Sequence, residues 1–391
     1  MKTNSSLTVF AALTLSLNAY AGPVWLTMSS AVLSGIQSTL PKNALVLEHK
    51  DNTSLIQVQD ADVSKISGTI HQKLKRCGGF SAHSNFADGK DGLSKFAFWN
   101  RRKNLEFSSY EVDKHDITQP MIDDVSEDEI RAMILSLSSF KNRGHKSASG
   151  VESTQSIKDK WAELSQGRSD ISIESFKHKD FPQPSLILTI EGSTAKEEIV
   201  ILGAHADSIS SGRIAPGADD NASGVASVTE VLRLLVAHDL QPARTIKLIA
   251  YAAEEVGLLG SQEIAKQFKK DKKNVVGVLQ LDMTLFKGTQ DKDILLISDY
   301  TNRKQNEFLG KLIDQYVKVP WGYSECGYGC SDHASWTAQG YPASFPFEST
   351  FDDHNPHIHS ENDTLENAGG SADHAVPFAR LALAFVAELS F

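Results

Sequence analysis

Thr245-Ile246-Lys247-Leu248-Ile249-Ala250-Tyr251-Ala252-Ala253-Glu254-Glu255 decides the fold. Its first seven residues are almost continuously apolar, which suits a strand covered on both faces rather than one half in water. Comparable runs recur at 186–190, 199–203 and 275–281, with shorter ones at 294–297 and 343–347. Between and after them, apolar residues fall at helical spacing over 223–236, 261–268, 305–316 and 372–389. A further helix opens at Ser126-Glu127-Asp128-Glu129, where a capping serine and an acidic first turn precede Ile130, Met133, Ile134 and Leu137. Alternating strands and helices predict an α/β fold: a three-layer αβα domain with a mixed, mostly parallel central sheet.

In such sheets, functional sites collect beyond the carboxyl ends of the strands. His205, Glu254, Glu255 and Asp282 each follow a predicted strand. His205-Ala206-Asp207 offers an imidazole ligand with a carboxylate two residues on to accept its other N–H. Asp219-Asp220 precedes the helix at 223–236, where a helix start explains one acid. A carboxylate bridging two cations about 3.5 Å apart would explain the second. Neighbouring side chains at Glu254-Glu255 point in different directions, so one can bind metal while the other acts as general base. In Asn355-Pro356-His357-Ile358-His359-Ser360, His359 is a candidate for the last ligand, with His357 and His354 as competitors. Together these residue types suit a two-metal hydrolytic centre.

Residues 1–21 read as a signal peptide: Lys2 supplies a charged start, 7–17 is mostly apolar, and Ala19-Tyr20-Ala21 has the small-x-small form of a cleavage site. A secreted or periplasmic protein is expected, with no membrane partner. Residues 22–116 alternate in short apolar and polar stretches and lack the acid and histidine clusters, so a small α+β pro-segment is expected there. It would be removed on maturation or act as an inhibitor, the rival being an accessory domain that stays attached. The catalytic domain is expected over 117–391. A net charge of -10 argues against a nucleic-acid partner, and a monomer is expected. The basic cluster between Lys266 and Lys273 reads as a solvated helix end.

Cys326 and Cys330 stand four apart around Gly327-Tyr328-Gly329, and in an exported protein read as a disulfide. A structural metal site on the pair is the rival, but no further cysteine is near. Cys77 stands alone in the first third.

The constellation resembles the M28 family of zinc-dependent metallopeptidases, most closely its secreted bacterial leucyl aminopeptidases. The matching stretches run from Gly203 to Ser208, Gly217 to Gly224, Tyr251 to Gly257, Leu279 to Thr284, Cys326 to Trp336 and Asn355 to Thr364. The resemblance implies two Zn2+ per chain bridged by Asp220, one also held by His205 and Asp282, the other by Glu255 and His359. It implies Glu254 as general base, Asp207 as the support of His205, Tyr328 as oxyanion stabiliser, and a Cys326–Cys330 disulfide. The substrates would be peptides with a free N-terminus. An apolar pocket from Met283, Ile297, Phe345, Phe347, Phe351 and Ile358 would favour leucine or other large hydrophobic residues. The sequence departs from the family at His354, where an aromatic phenol is expected. Two alternatives remain: a single-zinc glutaminyl cyclase-like enzyme, and a non-catalytic binding protein of the same fold.

Overall fold

The computed structural model describes residues 22–74, 76, 78–99 and 106–391. The expected signal peptide and Cys77 lie outside them. Six strands form the central sheet in the order Ala343–Ser344, Asn274–Gln280, Ala195–His205, Arg244–Tyr251, Ser185–Ile190, Ile171–Phe176. The first four run parallel, and the last two join antiparallel.

The continuous apolar runs have the cause anticipated, burial on both faces. Val200, Leu202, Ile246, Leu248 and Ala250 pack with the helices Gly224–Ala237 and Val376–Ser390. Their neighbours Ile199, Ile201 and Ile249 pack on the opposite face with Ile264, Ala265, Phe268 and Trp336. Period-two alternation therefore feeds two cores from the same strands. Each fully buried Leu or Ile adds about 1.5–3 kcal/mol to the driving force. Ser126 caps the helix Glu127–Ser138 by accepting from Glu129 N, worth about 1 kcal/mol.

Three expectations need correction. The run 343–347 divides: Ala343–Ser344 joins the central sheet, while Pro346–Phe347 turns into a three-stranded sheet with Ile294–Ile297 and Trp321–Ser324. The last helix begins at Val376, with Pro377 in its first turn, a position proline tolerates. The helix Ala148–Leu164 was missed because its exposed face carries Glu152, Gln155, Asp159 and Glu163, leaving a narrow apolar stripe through Ile157 and Trp161.

The N-terminal unit is α+β, with an antiparallel sheet ordered Leu45–Lys50, Thr53–Gln59, Pro23–Ser29, Phe80–His83 and helices Ser30–Ile36, Val63–Leu74 and Phe86–Trp99. A boundary at residue 117 would cut the helix His115–Asp123, and Phe107 already packs in the larger core. The N-terminal core is shared: Leu26, Ile56, Phe80 and Ala82 cluster with Phe181, Ala252, Ala253 and Val256. Ala82 N donates to Gly257 O (3.1 Å) and Gln262 Nε2 to Ala82 O (3.1 Å). Lys266, at the start of the solvated basic cluster, also pairs with Asp88 of this unit at 2.8 Å while its side chain remains substantially exposed.

Candidate active site

Sheet register brings the predicted residues to one edge. His205 ends its strand opposite Tyr251, and Gly203 lies opposite Gln280. The turns bearing Glu254-Glu255 and Asp282 therefore leave the sheet beside His205. Ala253 (φ 57°) and Met283 (φ 53°) are left-handed non-glycine residues at these turns, and His359 (φ 55°) is one in its own loop. Such strain costs about 1–3 kcal/mol per residue and persists only where neighbours enforce it. One enforcer is Asp207, whose carboxylate accepts Glu254 N (3.0 Å) and Glu255 N (3.2 Å).

That geometry adds to the role expected of Asp207. Its carboxylate lies 3.5 Å from His205 Nδ1, while its backbone carbonyl is nearer the same nitrogen, at 3.1 Å. Asp207 thus orients His205 and fastens the Glu254-Glu255 turn.

Two buried groups of side chains converge. His205, Asp220 and Asp282 form one, and Asp220, Glu255 and His359 the other, the ligand atoms within each lying inside 4.8 Å of one another. Asp220 divides its oxygens between them, Oδ1 at 3.0 Å from His205 Nε2 and Oδ2 at 3.1 Å from His359 Nε2. Glu255 Oε2 lies 2.8 Å from His359 Nε2, and Asp282 Oδ1 lies 3.4 Å from His205 Nε2. His205 Nε2, Asp282 Oδ1 and Glu255 Oε2 are buried and meet only the ionisable partners within these two groups. Buried acids and imidazoles converging on two shared points, with Asp220 common to both, fit divalent cations in these positions. His354 and His357 are not in either group: His354 Nδ1 lies 2.6 Å from Phe351 O, and His357 N donates to Asn355 Oδ1.

The opposite charges of the site hold one another against burial. Burial alone would lower the pKa of His205, yet Asp282, Asp207 and Asp220 hold it well above the ordinary imidazole value. His359 is likewise carried up to about 10, against burial, by Glu255 and Asp220. Asp220 is held below the carboxylate range by the two imidazoles, despite burial. Glu254, outside both groups, is pushed well above the usual glutamate value by burial, with Asp332, Asp282 and Glu255 adding to it and His205 opposing. A buried carboxyl beside both groups but in neither is placed to carry a proton.

Several supporting residues escaped sequence reasoning. Asp363 accepts Asp219 N (3.0 Å) and Asp220 N (3.1 Å). Asp219 turns away, accepting Leu285 N and Asn355 Nδ2 at 3.0 Å each. Ser331 Oγ donates to Asp282 Oδ2 at 2.6 Å. Asp363 lies inside the matching stretch from Asn355 to Thr364, but nothing local marks it, because its partners are 144 and 143 residues away.

The Cys326–Cys330 disulfide is present. Both cysteines, Tyr328 and all six expected pocket residues (Met283, Ile297, Phe345, Phe347, Phe351 and Ile358) belong to one buried apolar cluster. The N-terminal unit reaches the same place. The His71 ring lies 4.7 Å from that of His359, and the Arg76 guanidinium carbon lies 5.7 Å from the Tyr328 ring centroid. A cavity of about 570 Å³ touching His359 is walled by Lys65, Thr69 and Gln72 on one side and by the loop through Ser210 and Arg213 on the other.

Residues 185–386 match peptidase family M28. The chain belongs to that family. A probable aminopeptidase of Saccharomyces cerevisiae is 32% identical over 86% of this chain and 92% of its own. Leucine aminopeptidase 1 of Metarhizium robertsii is 39% identical over 67% of this chain and 69% of its own. The crystal structure of the Legionella pneumophila LapA aminopeptidase superposes with a TM-score of 0.82 and 30% identity, covering 95% of this chain and 99% of that one. So high a coverage takes in the N-terminal unit, since 22–99 is far more than the unmatched twentieth. The M28 chain is thus an enzyme, a metallo-aminopeptidase hydrolase of a zinc-dependent family.

Proposed function

We propose that this M28 enzyme is a secreted or periplasmic aminopeptidase with two zinc ions per chain, removing leucine or another large hydrophobic residue from peptides with a free N-terminus. The observation that carries the two-ion reading is the division of Asp220, one oxygen toward each ligand group. In this reading His205, Asp220 and Asp282 hold one ion, and Asp220, Glu255 and His359 the other. Zinc there would supply an acidified water and a polarised carbonyl. Glu254 takes a proton from the attacking water and returns it to the departing amine; it stands next to Glu255 without belonging to either ligand group. Asp207 keeps His205 in one tautomer and holds the Glu254 turn. Tyr328 stabilises the oxyanion, and the surrounding apolar cluster supports preference for a large hydrophobic side chain.

The N-terminal unit is proposed to be an inhibitory pro-segment, the enzyme itself being a monomer. The approach of His71 to His359 and of Arg76 to Tyr328 supports that reading, because both place the unit over residues that would meet substrate.

The test is hydrolysis of aminoacyl-anilides across several side chains, with and without a chelator, alongside metal analysis. Leucyl and similar substrates should turn over fastest, chelation should stop them, an N-acetylated substrate should resist, and about two zinc ions should be found. One zinc with pyroglutamate formation and no peptidase activity would favour the cyclase alternative, and bound peptide without turnover the binding protein.

A further inference from the structure

Arg143 is the residue about which the sequence was silent and the structure is most explicit. It lies between the helices Glu127–Ser138 and Ala148–Leu164, and its side chain is fully buried. An arginine is rarely buried without compensation. Here the compensation comes from backbone carbonyls. Nε donates to Ala206 O (3.0 Å), Nη2 to Gly217 O (2.8 Å), and Nη1 to Leu137 O (3.3 Å) and to Pro216 O. Arg143 N donates to Ser208 Oγ (3.2 Å), which in turn donates to Ala215 O (2.9 Å).

Two of the segments so joined carry the metal-site side chains. Ala206 separates His205 from Asp207, and Pro216-Gly217 leads to Asp219 and Asp220. A planar fork of fixed geometry sets the distance between segments in a way that a flexible ammonium does not. Gly217 shows how close the fit is: a Cβ there would lie 2.8 Å from Arg143 Nη2 and 2.5 Å from Asp220 O. The guanidinium also brings a positive charge beneath a site dense in carboxylates. Burial lowers its pKa, while Asp363, Asp220, Asp207 and Glu255 support its charged form, and arginine stays protonated in proteins.

We propose that Arg143 is a positioning residue of the metal centre, clamping the backbone after His205 to the backbone before Asp220 so that both present their ligand atoms to a shared ion. The proposal rests on the metal reading above, with Arg143 touching neither the ion nor the substrate. Residues that orient ligands from behind typically change metal affinity 10- to 100-fold.

The test compares the wild type with Arg143→Lys and Arg143→Met. Zinc dissociation constants are measured by chelator competition, and the visible spectrum is recorded after cobalt loading. Both variants should bind zinc about ten-fold or more weakly, with an altered cobalt spectrum, and the lysine variant should keep the near-ultraviolet circular dichroism of the metal-free wild type. Should Arg143→Met not fold, Arg143→Lys decides. A folded lysine variant with wild-type zinc affinity and cobalt spectrum overturns the clamp, even if its melting temperature falls. Failure of the wild type itself to bind zinc would instead overturn the metal reading.

Discussion

Asp220 is the residue on which both halves of the site depend, and Glu254 the one that both leave free. Converting Glu254 to Gln keeps its shape and removes its proton affinity. Glu254→Gln should lower kcat by at least about a hundred-fold, within the range of general-base catalysis, while zinc content stays unchanged. Near-normal turnover would remove Glu254 from its role. Asp207 touches two things at once, so Asp207→Asn, which retains only one acceptor oxygen, should weaken both His205 and the Glu254-Glu255 turn. A loss of about 10- to 100-fold in zinc affinity is expected by chelator competition, and an unchanged affinity would reduce Asp207 to a bystander. His205, Glu254, Glu255 and Asp282 were legible as candidates because each follows an apolar strand. The choice of Asp220 over Asp219, of Glu255 over Glu254 as ligand, and of His359 over His354 and His357 came from the family resemblance. Arg143, Asp363 and Ser331 were not legible, since their partners are carbonyls, amides and a carboxylate supplied by distant segments.

At the level of elements, the doubly buried strands were read well because they leave a run of apolar residues, whereas the part-exposed edge strands Ile171–Phe176 and Trp321–Ser324 were not anticipated. The break within 343–347 was not readable, since Ala343-Ser344 and Pro346-Phe347 bond to different sheets and only the partners reveal it. The turn after the strand Arg244–Tyr251 shows an element answering to a neighbour. Gly257 has φ +103°, and an added Cβ would lie 2.5 Å from Ala82 N of the N-terminal strand Phe80–His83. Gly257→Ala should destabilise the docked state by about 1–3 kcal/mol. Urea titration of both proteins checks this, and an unchanged midpoint would mean that the turn and strand adapt freely.

For the whole molecule, the N-terminal unit and the catalytic body share a core and meet over the candidate site. Limited proteolysis that releases the unit from folded protein should raise anilide hydrolysis about ten-fold or more, as removal of a tethered occupant at millimolar effective concentration does. Equal rates before and after trimming would contradict an inhibitory role. Global stability should also depend on acidity through His145, whose pKa burial lowers from 6.5 to about 4. The folded protein then binds fewer protons than the unfolded chain below pH 6.5, so stability falls as pH drops from about 6.5 to about 4 and levels off below. The loss should reach about 2 kcal/mol at pH 5. His145→Gln should lose correspondingly less between pH 7 and pH 5 in urea unfolding, and an equal loss would clear His145. The sequence by itself determined the strands, the layered architecture and the ligand candidates, because apolar periodicity and short motifs are local. Only the tertiary structure decided which arginine fastens the backbones of the two groups and that His71 lies against His359. Those depend on segments far apart in the chain being brought within hydrogen-bond or contact distance, which no local pattern encodes.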